Sequence, residues 1–228
     1  MTKTKDPIYQ ECIELQNKQG PSYLGLSSAI SWEEDPKRLI FMLSRYKFVA
    51  KLLEGSKKVL EIGCGDGFGS RIVAQHVKKL TITDNDPLFI QSANEIKSVN
   101  WNYQCVVHDI LDSPYPFGKF TAAYSLDVLE HFNAIEEKKF FQNIAASLDD
   151  KGVFIVGMPS INSQKYANAR AKIGHINCKS LPELRNICEK YFHNCFAFSM
   201  NDEVVHTGFF EMANYIFVVC CSPTRNTY

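Results

Sequence analysis

The stretch Val59-Leu60-Glu61-Ile62-Gly63-Cys64-Gly65-Asp66-Gly67-Phe68-Gly69 carries the clearest chemistry in the chain. A short apolar run ends in a carboxylate, and glycines then recur at alternate positions before a helix-like segment. That pattern describes a strand, a tight turn and a helix, with the backbone bare where a ligand must come close. Glu61 is expected at the mouth of the crevice. There its charge opposes a pyrophosphate and suits a ligand bearing positive charge and hydroxyls. Asp84, Asp109 and Asp127 each follow a later apolar run. Asp84 stands about one βαβ half-unit after the glycines, the usual place for a carboxylate that takes ribose hydroxyls. Asp109 could accept from the amino group of an adenine.

The six histidines are candidates for proton transfer. His76 lies in a helix and His193 just after one, so both read as surface residues. His108 points opposite to Asp109 if the strand alternates through both. His131, His175 and His206 remain, each in a loop or helix start at the expected mouth of the sheet. They are the candidate bases or acceptor contacts. If a helix starts at Asp127, then Asp127, Glu130 and His131 share one face. With His175 as a fourth ligand they could hold a divalent cation. The preferred reading has no metal and lets His131 line the acceptor pocket. The four-residue cation set is the alternative.

The elements that must position these residues follow from periodicity. Residues 7–19 and 35–54 read as helices, with a loop rich in Ser and Gly at 20–34 between them. Strands at 57–62, 80–83, 103–107, 120–126 and 153–157 then alternate with helices at 68–78, 87–96 and 136–148. This alternation predicts a mainly parallel sheet covered on both faces. Residues 158–179 break the rhythm and read as an irregular lid. A helix at 181–191, a strand near 195–200, a loop at 201–211 and a strand at 214–221 complete the chain. The two late strands predict an antiparallel hairpin at one sheet edge. The expected organisation is a helical, acceptor-side cap over 1–54 and a ligand-binding domain over 55–228.

Bulk properties narrow the function. Of 228 residues, 25 are Lys or Arg and 25 are Asp or Glu, so no basic field exists to hold a polyanion. General nucleic-acid binding is therefore not expected. No long apolar run occurs, so no membrane insertion is expected. The eight cysteines lack CxxC spacing and several lie in apolar runs, which suits reduced thiols in a cytoplasmic protein.

The motifs resemble those of class I S-adenosylmethionine-dependent methyltransferases. Val59–Gly67 is similar to the first motif of that superfamily and Thr83-Asp84-Asn85-Asp86-Pro87 to the second. Val107-His108-Asp109-Ile110 resembles the third. Tyr124–His131 and Gly152–Val156 resemble the fourth and fifth. The resemblance covers about residues 40–200 and is closest in spirit to the small-molecule O-methyltransferase branch, including ubiquinone-pathway-like members. It implies a Rossmann-like, doubly wound α/β fold, with a seven-stranded, mostly parallel sheet whose last strand is antiparallel. S-adenosylmethionine is the implied cofactor. Gly63 and Gly65 would lie under its methionine part. Asp84 would take the ribose hydroxyls, with Asn85 beside it, and Asp109 and Ile110 would flank the adenine. Leu126 and Asp127 would border the methyl-transfer centre. Arg45 could pair with the cofactor carboxylate. The run Asp127-x-x-Glu130-His131 also resembles the metal motif of ubiquinone-pathway O-methyltransferases and of small-RNA 2′-O-methyltransferases, although the RNA enzymes have Glu where this chain has Asp127.

The acceptor pocket is expected between the N-terminal helices, the 158–179 lid and the 201–211 loop. These offer Tyr23, Trp32, Tyr46, Met158, Tyr166, His175, His206 and Phe209, a mixture suited to a sugar or an aromatic hydroxyl. The expected activity is methyl transfer to a hydroxyl of a polar small molecule or glycan, by a monomer or homodimer. N-methylation of a small amine and a non-catalytic cofactor-binding module are the alternatives. A dinucleotide oxidoreductase is disfavoured, because Phe68 interrupts the G-x-G-x-x-G spacing.

Overall fold

A computed structural model describes residues 3–225 of the chain. Its centre is β1 (Val59–Ile62), a strand buried at every position. It lies parallel to β2 (Leu80–Asp84) on one side and to β4 (Phe120–Leu126) on the other. The edge beyond β2 is β3 (Gln104–Val107), and β5 (Leu148–Pro159) runs parallel to β4. Three antiparallel strands complete the sheet: β8 (Tyr215–Pro223) beside β5, then β6 (Phe192–Asn201), then β7 (Val204–His206). The order is β3-β2-β1-β4-β5-β8-β6-β7. Successive strands diverge on either side of β1. The crevice at the carboxyl ends of β1 and β4 is therefore the switch point at which such sheets bind ligands.

The sheet has eight strands where seven were expected, because the 201–211 segment contributes β7. The two late strands do pair antiparallel, but β8 inserts between β5 and β6 and leaves β7 at the edge.

Strand alternation divides the core into two layers. Leu60, Ile216 and Val218 face one side, with Phe140, Phe141 and Ile144 of α6 (Ala134–Ser147) and Leu184 of α8 (Leu181–Cys188). Val59, Ile82, Phe217 and Val219 face the other, with Val49 and Leu53 of α3 (Lys37–Leu52), Val73 of α4 (Ser70–Ala74) and Ala93 of α5 (Pro87–Glu95). Phe140, Phe141 and Phe154 have no exposed surface. Each contributes about 1.5–3 kcal/mol of transfer free energy. Local signals start the helices. Asn133 and Glu136 form a capping box at α6, and Asp86 caps α5 ahead of Pro87.

The N-terminal helix α1 (Gln10–Gln19) buries no residue. Residues 20–34, expected to be a loop, contain α2 (Leu26–Glu34). Its own flanks give it no side-chain cap. Asp66 of the glycine turn serves that end instead, accepting from the Ser28 N–H at 2.7 Å. A cap supplied from so far along the chain leaves no local start signal. The 158–179 segment, expected to be an irregular lid, holds a 3₁₀ segment (Ile161–Tyr166) and a short helix, α7 (Ala169–Gly174). No helix among the described residues is long and apolar enough to cross a membrane.

Candidate functional site

The glycine turn leaves β1 with Gly63, Gly65 and Gly67 all at positive φ (73°, 53° and 71°). Thr83 anchors it, since its carbonyl accepts the N–H groups of both Gly63 (2.8 Å) and Cys64 (2.9 Å). At Gly63 a side chain has no room: a Cβ there would lie 2.3 Å from Val128 Cγ2. Asp84 closes the turn from β2. Its Oδ2 accepts the Gly65 N–H at 2.9 Å and its Oδ1 accepts the Asp86 N–H at 3.0 Å. Burial raises the Asp84 pKa, and the N–H groups of Asp86 and Gly65 work against that rise.

These elements enclose a cavity of about 550 Å³. Gly63, Gly65, Asp84, Asn85, Asp109, Ile110, Leu126 and Asp127 all line it. The cavity thus gathers the acidic ends of three strands, β2, β3 and β4, around a bare backbone.

His108 also lines this cavity, contrary to the alternation argument. β3 ends at Val107, so pleating no longer dictates where His108 points. The Asp84 carbonyl accepts the His108 N–H at 3.0 Å, and the ring meets Tyr115 edge-on at 5.5 Å. Ser27, Met42 and Phe89 line the cavity too, and no sequence spacing marks them.

Glu61 is not at the mouth. It is 1% exposed and lies beneath the turn, where its carboxylate accepts three hydroxyls: Tyr46 at 2.7 Å, Ser70 at 2.6 Å and Tyr124 at 2.7 Å. The strand pleat turns its side chain into the layer shared with α3, opposite to Ile62. Burial raises its pKa, and the three hydroxyls limit the rise. Glu61 braces the turn from within and does not line the cavity.

Arg45 does not line the cavity wall. Its Nη1 donates to both oxygens of Asp127, at 2.9 and 2.7 Å, and its guanidinium lies 3.8 Å from the Tyr215 ring centroid. Burial works against the Arg45 charge, and Asp127 with Glu130 behind it outweighs burial and raises the pKa. Asp127 is one of three non-glycine residues at positive φ (58°) among the described residues. That conformation costs about 1–2 kcal/mol and sits at the end of β4, where strain marks function more often than accident.

Leu129–His131 is a 3₁₀ turn, so the expected helical face does not form. Asp127 turns to Arg45 and leaves the cation set. Glu130, His131 and His175 do converge, with candidate ligand atoms within 4.8 Å of one another. Glu130 has no exposed surface, and neither carboxylate oxygen has a hydrogen-bond partner among the described residues. Burial, and then the Asp127 charge, raise its pKa well above the carboxylate range. His131 Nδ1 lies 2.8 Å from the Gly174 carbonyl, which can only accept. His175 Nδ1 lies 2.9 Å from Gln164 Oε1. In its neutral form each ring therefore carries its proton on Nδ1 and leaves the Nε2 lone pair free. Burial, and then His131, lower the His175 pKa.

His206 lies elsewhere. It sits on β7, with Nε2 2.8 Å from Asn201 Oδ1 and Nδ1 accepting the Gly208 N–H at 3.0 Å. Both nitrogens are committed to the hairpin, so it is no base for this cavity. Of the expected acceptor residues, Met158 is buried in the core, while Tyr23, Trp32, Tyr166 and Phe209 are exposed and line neither the cavity nor its neighbour. Tyr46 reaches the cavity while holding Glu61.

Residues 59–152 match a family model described as a methyltransferase domain. No curated protein sequence matches the chain. Solved structures similar in fold include the methyltransferase domain of bacterial CtHen1-C, with a TM-score of 0.66 at 15% identity over 80% of this chain and 98% of that one. The N-methyltransferase NodS from Bradyrhizobium japonicum, in complex with S-adenosyl-L-homocysteine, gives 0.61 at 16% identity over 92% and 98%. The CurJ carbon methyltransferase gives 0.64 at 13% identity over 93% of this chain and 61% of its own. At such identities the likeness is one of fold.

Proposed function

We propose that this chain, whose residues 59–152 match a methyltransferase domain, is an S-adenosylmethionine-dependent methyltransferase and that it methylates a hydroxyl oxygen of a polar small molecule or glycan. The cofactor is a sulfonium with an ammonium and no phosphate, so a cavity walled by Asp84, Asp109 and Asp127 is complementary to it. In this reading Asp84 and Asn85 take the ribose, Ile110 the adenine and Leu126 the methyl-bearing end. Gly63 and Gly65 pass under the methionine part. Transfer is an in-line displacement: the acceptor oxygen bonds to the methyl carbon as the carbon–sulfur bond breaks and sulfur keeps the electron pair. The protein must hold oxygen and methyl carbon about 3–3.5 Å apart with orbitals aligned.

The observation that carries the hydroxyl reading is the histidine pair beside the cavity. Each ring is held by its Nδ1 proton and presents a free Nε2. A neutral amine needs no such base, whereas a hydroxyl must lose its proton to react well. His131 lines the cavity and is the nearer acceptor of that proton.

A second reading is favoured by Glu130. Two buried, unpartnered carboxylate oxygens beside two free imidazole lone pairs are a fitting donor set for a divalent cation. The Nδ1 contacts to Gly174 and Gln164 are the kind of support that metal-binding histidines have. Glu130, His131 and His175 would hold the ion, which would lower the pKa of a hydroxyl next to it.

Methyl-labelled S-adenosylmethionine, offered with matched hydroxyl and amine acceptors, tests the reading. Label on oxygen, with a loss of at least 100-fold in His131→Ala with His175→Ala, is expected. Label on nitrogen that survives the double substitution would overturn it. Activity that persists after chelation and dialysis would exclude the cation.

A further inference from the structure

We propose that the groove between α2 and α7 is the acceptor site, that it takes a polyhydroxylated, carbohydrate-like molecule, and that Asp66 positions its wall. This rests on the methyl-transfer reading and adds the acceptor's chemical class and route.

The groove encloses about 430 Å³ beside the cofactor cavity. Ser27 and His131 line both spaces, so the two meet at the histidine that faces the transfer centre. A molecule in the groove can present one group to His131 and keep the rest outside the cavity. Most of the described residues that line the groove carry polar side chains, set among carbon surface. Ser31 and Glu34 come from α2, Arg38 from α3 and Asn168 from the start of α7. Among the described residues Ile30 is the largest apolar side chain there, and no phenyl, phenol or indole ring lines the groove. An aromatic acceptor would find no flat apolar platform of the kind that holds such rings. Glu34 and Arg38 pair at 3.3 Å across the junction between α2 and α3, so neither charge stands alone to fix an anion or a cation. Hydroxyls, amide and paired charges together suit a ligand that both donates and accepts many hydrogen bonds.

Asp66 ties this wall to the cofactor. Its Oδ2 accepts the Ser27 hydroxyl at 2.8 Å and the Ser28 N–H at 2.7 Å. Its Oδ1 accepts the Ser28 hydroxyl at 3.2 Å and the Phe68 N–H at 3.1 Å. The approach is so close that a Cβ on Gly25 would lie 2.7 Å from the Asp66 side chain. Asp66 is a residue of the cofactor's turn and lines the cofactor cavity. The first turn of α2 is thus hooked to the turn that cradles the donor, and the opposite end of the helix forms the acceptor wall. Asp66 is a positioning residue, acting on the acceptor through Ser27 and Ser28.

Saturation-transfer NMR on the S-adenosylhomocysteine-loaded protein tests this, with maltotriose, methyl β-glucoside and catechol as probes. Saturation of at least one saccharide and none of catechol is expected. Ser31→Trp, which fills the groove away from the cofactor cavity, should abolish the saccharide signal while S-adenosylhomocysteine affinity stays within twofold. Ala171→Phe on the opposite wall should do the same, and guards against a folding defect in the first variant. Asp66→Asn turns an amide N–H toward existing donors. It should weaken saccharide binding at least fivefold at saturating S-adenosylhomocysteine, with Ser27→Ala intermediate. Catechol binding without saccharide binding, no saccharide bound at all, or saccharide binding that survives both groove-filling variants would overturn the proposal. A wild-type protein that fails to bind S-adenosylhomocysteine would instead sink the methyl-transfer reading itself.

Discussion

Arg45 donates two hydrogen bonds to Asp127 across 82 residues of chain, at 2.9 and 2.7 Å, and so joins α3 to the strained end of β4. Asp127 borders the cavity, and Arg45 stands behind it on the Tyr215 ring. The pair fixes where the Asp127 charge lies; burial and then Asp127 raise the pKa of the buried Glu130 carboxyl, and Arg45 works against that rise.

Arg45→Ala should therefore weaken cofactor binding without touching the cavity wall. We expect the S-adenosylmethionine dissociation constant to rise about tenfold, near 1.4 kcal/mol. Asp127→Asn tolerates the left-handed backbone and loses the charge, whereas Asp127→Val adds a β-branched clash in that region. Calorimetric titration should rank them Asn above Val in affinity. Equal affinities would show that backbone strain at this position does not matter.

Gly63→Ala meets two penalties. The backbone is at φ +73°, and the new methyl group would lie 2.3 Å from Val128. We expect a stability loss of about 2–3 kcal/mol, a melting temperature lower by roughly 4–12 °C, and cofactor affinity reduced at least 100-fold. Adding Val128→Ala removes the clash and leaves the strain, so the double variant should recover part of the melting temperature. No recovery would mean that the backbone conformation carries the whole cost.

His175 should stay neutral below the ordinary imidazole pKa, because burial, and then the neighbouring His131, lower its own. The unfolded chain takes up a proton near pH 6.5 and the folded one resists it. Stability from this group is therefore full above that pH and is lost as pH falls toward the depressed value. The acid limb of the methyl-transfer rate should lie below pH 6.5. A limb centred above it, unchanged in His175→Asn, would remove His175 from the reaction.

Glu61→Ala should cost more than most core changes, since it leaves the Tyr46, Ser70 and Tyr124 hydroxyls buried without their acceptor. About 3–5 kcal/mol is expected, with less for Glu61→Gln, which keeps one oxygen. The folded pKa of Glu61 is raised, so its contribution is complete at low pH and declines as pH rises through that value. Denaturant unfolding from pH 4.5 to 8 should show that decline in the wild type and a flatter profile in Glu61→Gln. Identical slopes would mean that the carboxyl does not titrate on folding.

Sequence by itself determined the frame of this protein. Alternation of apolar runs with helical periods set the order of strands and helices, because pleat and helical turn are local rules. Gly63 and Gly65, then Asp84, Asp109 and Asp127, were legible because each occupies the end of a strand, and strand ends in such a sheet converge on one crevice. Tertiary structure decided where the charges point and what they meet. Glu61 turned inward because its strand position faces α3, which supplies Tyr46. Arg45 found Asp127, and His131 found His175, by packing of segments far apart in the chain. His108 entered the cavity because its strand stops one residue short of it, and His206 left the candidate set because β7 formed. The start of α2 was invisible because its cap, Asp66, comes from another element. Local spacing fixes the backbone path, whereas ion pairs, caps and converging ligands depend on long-range contacts that no short motif encodes.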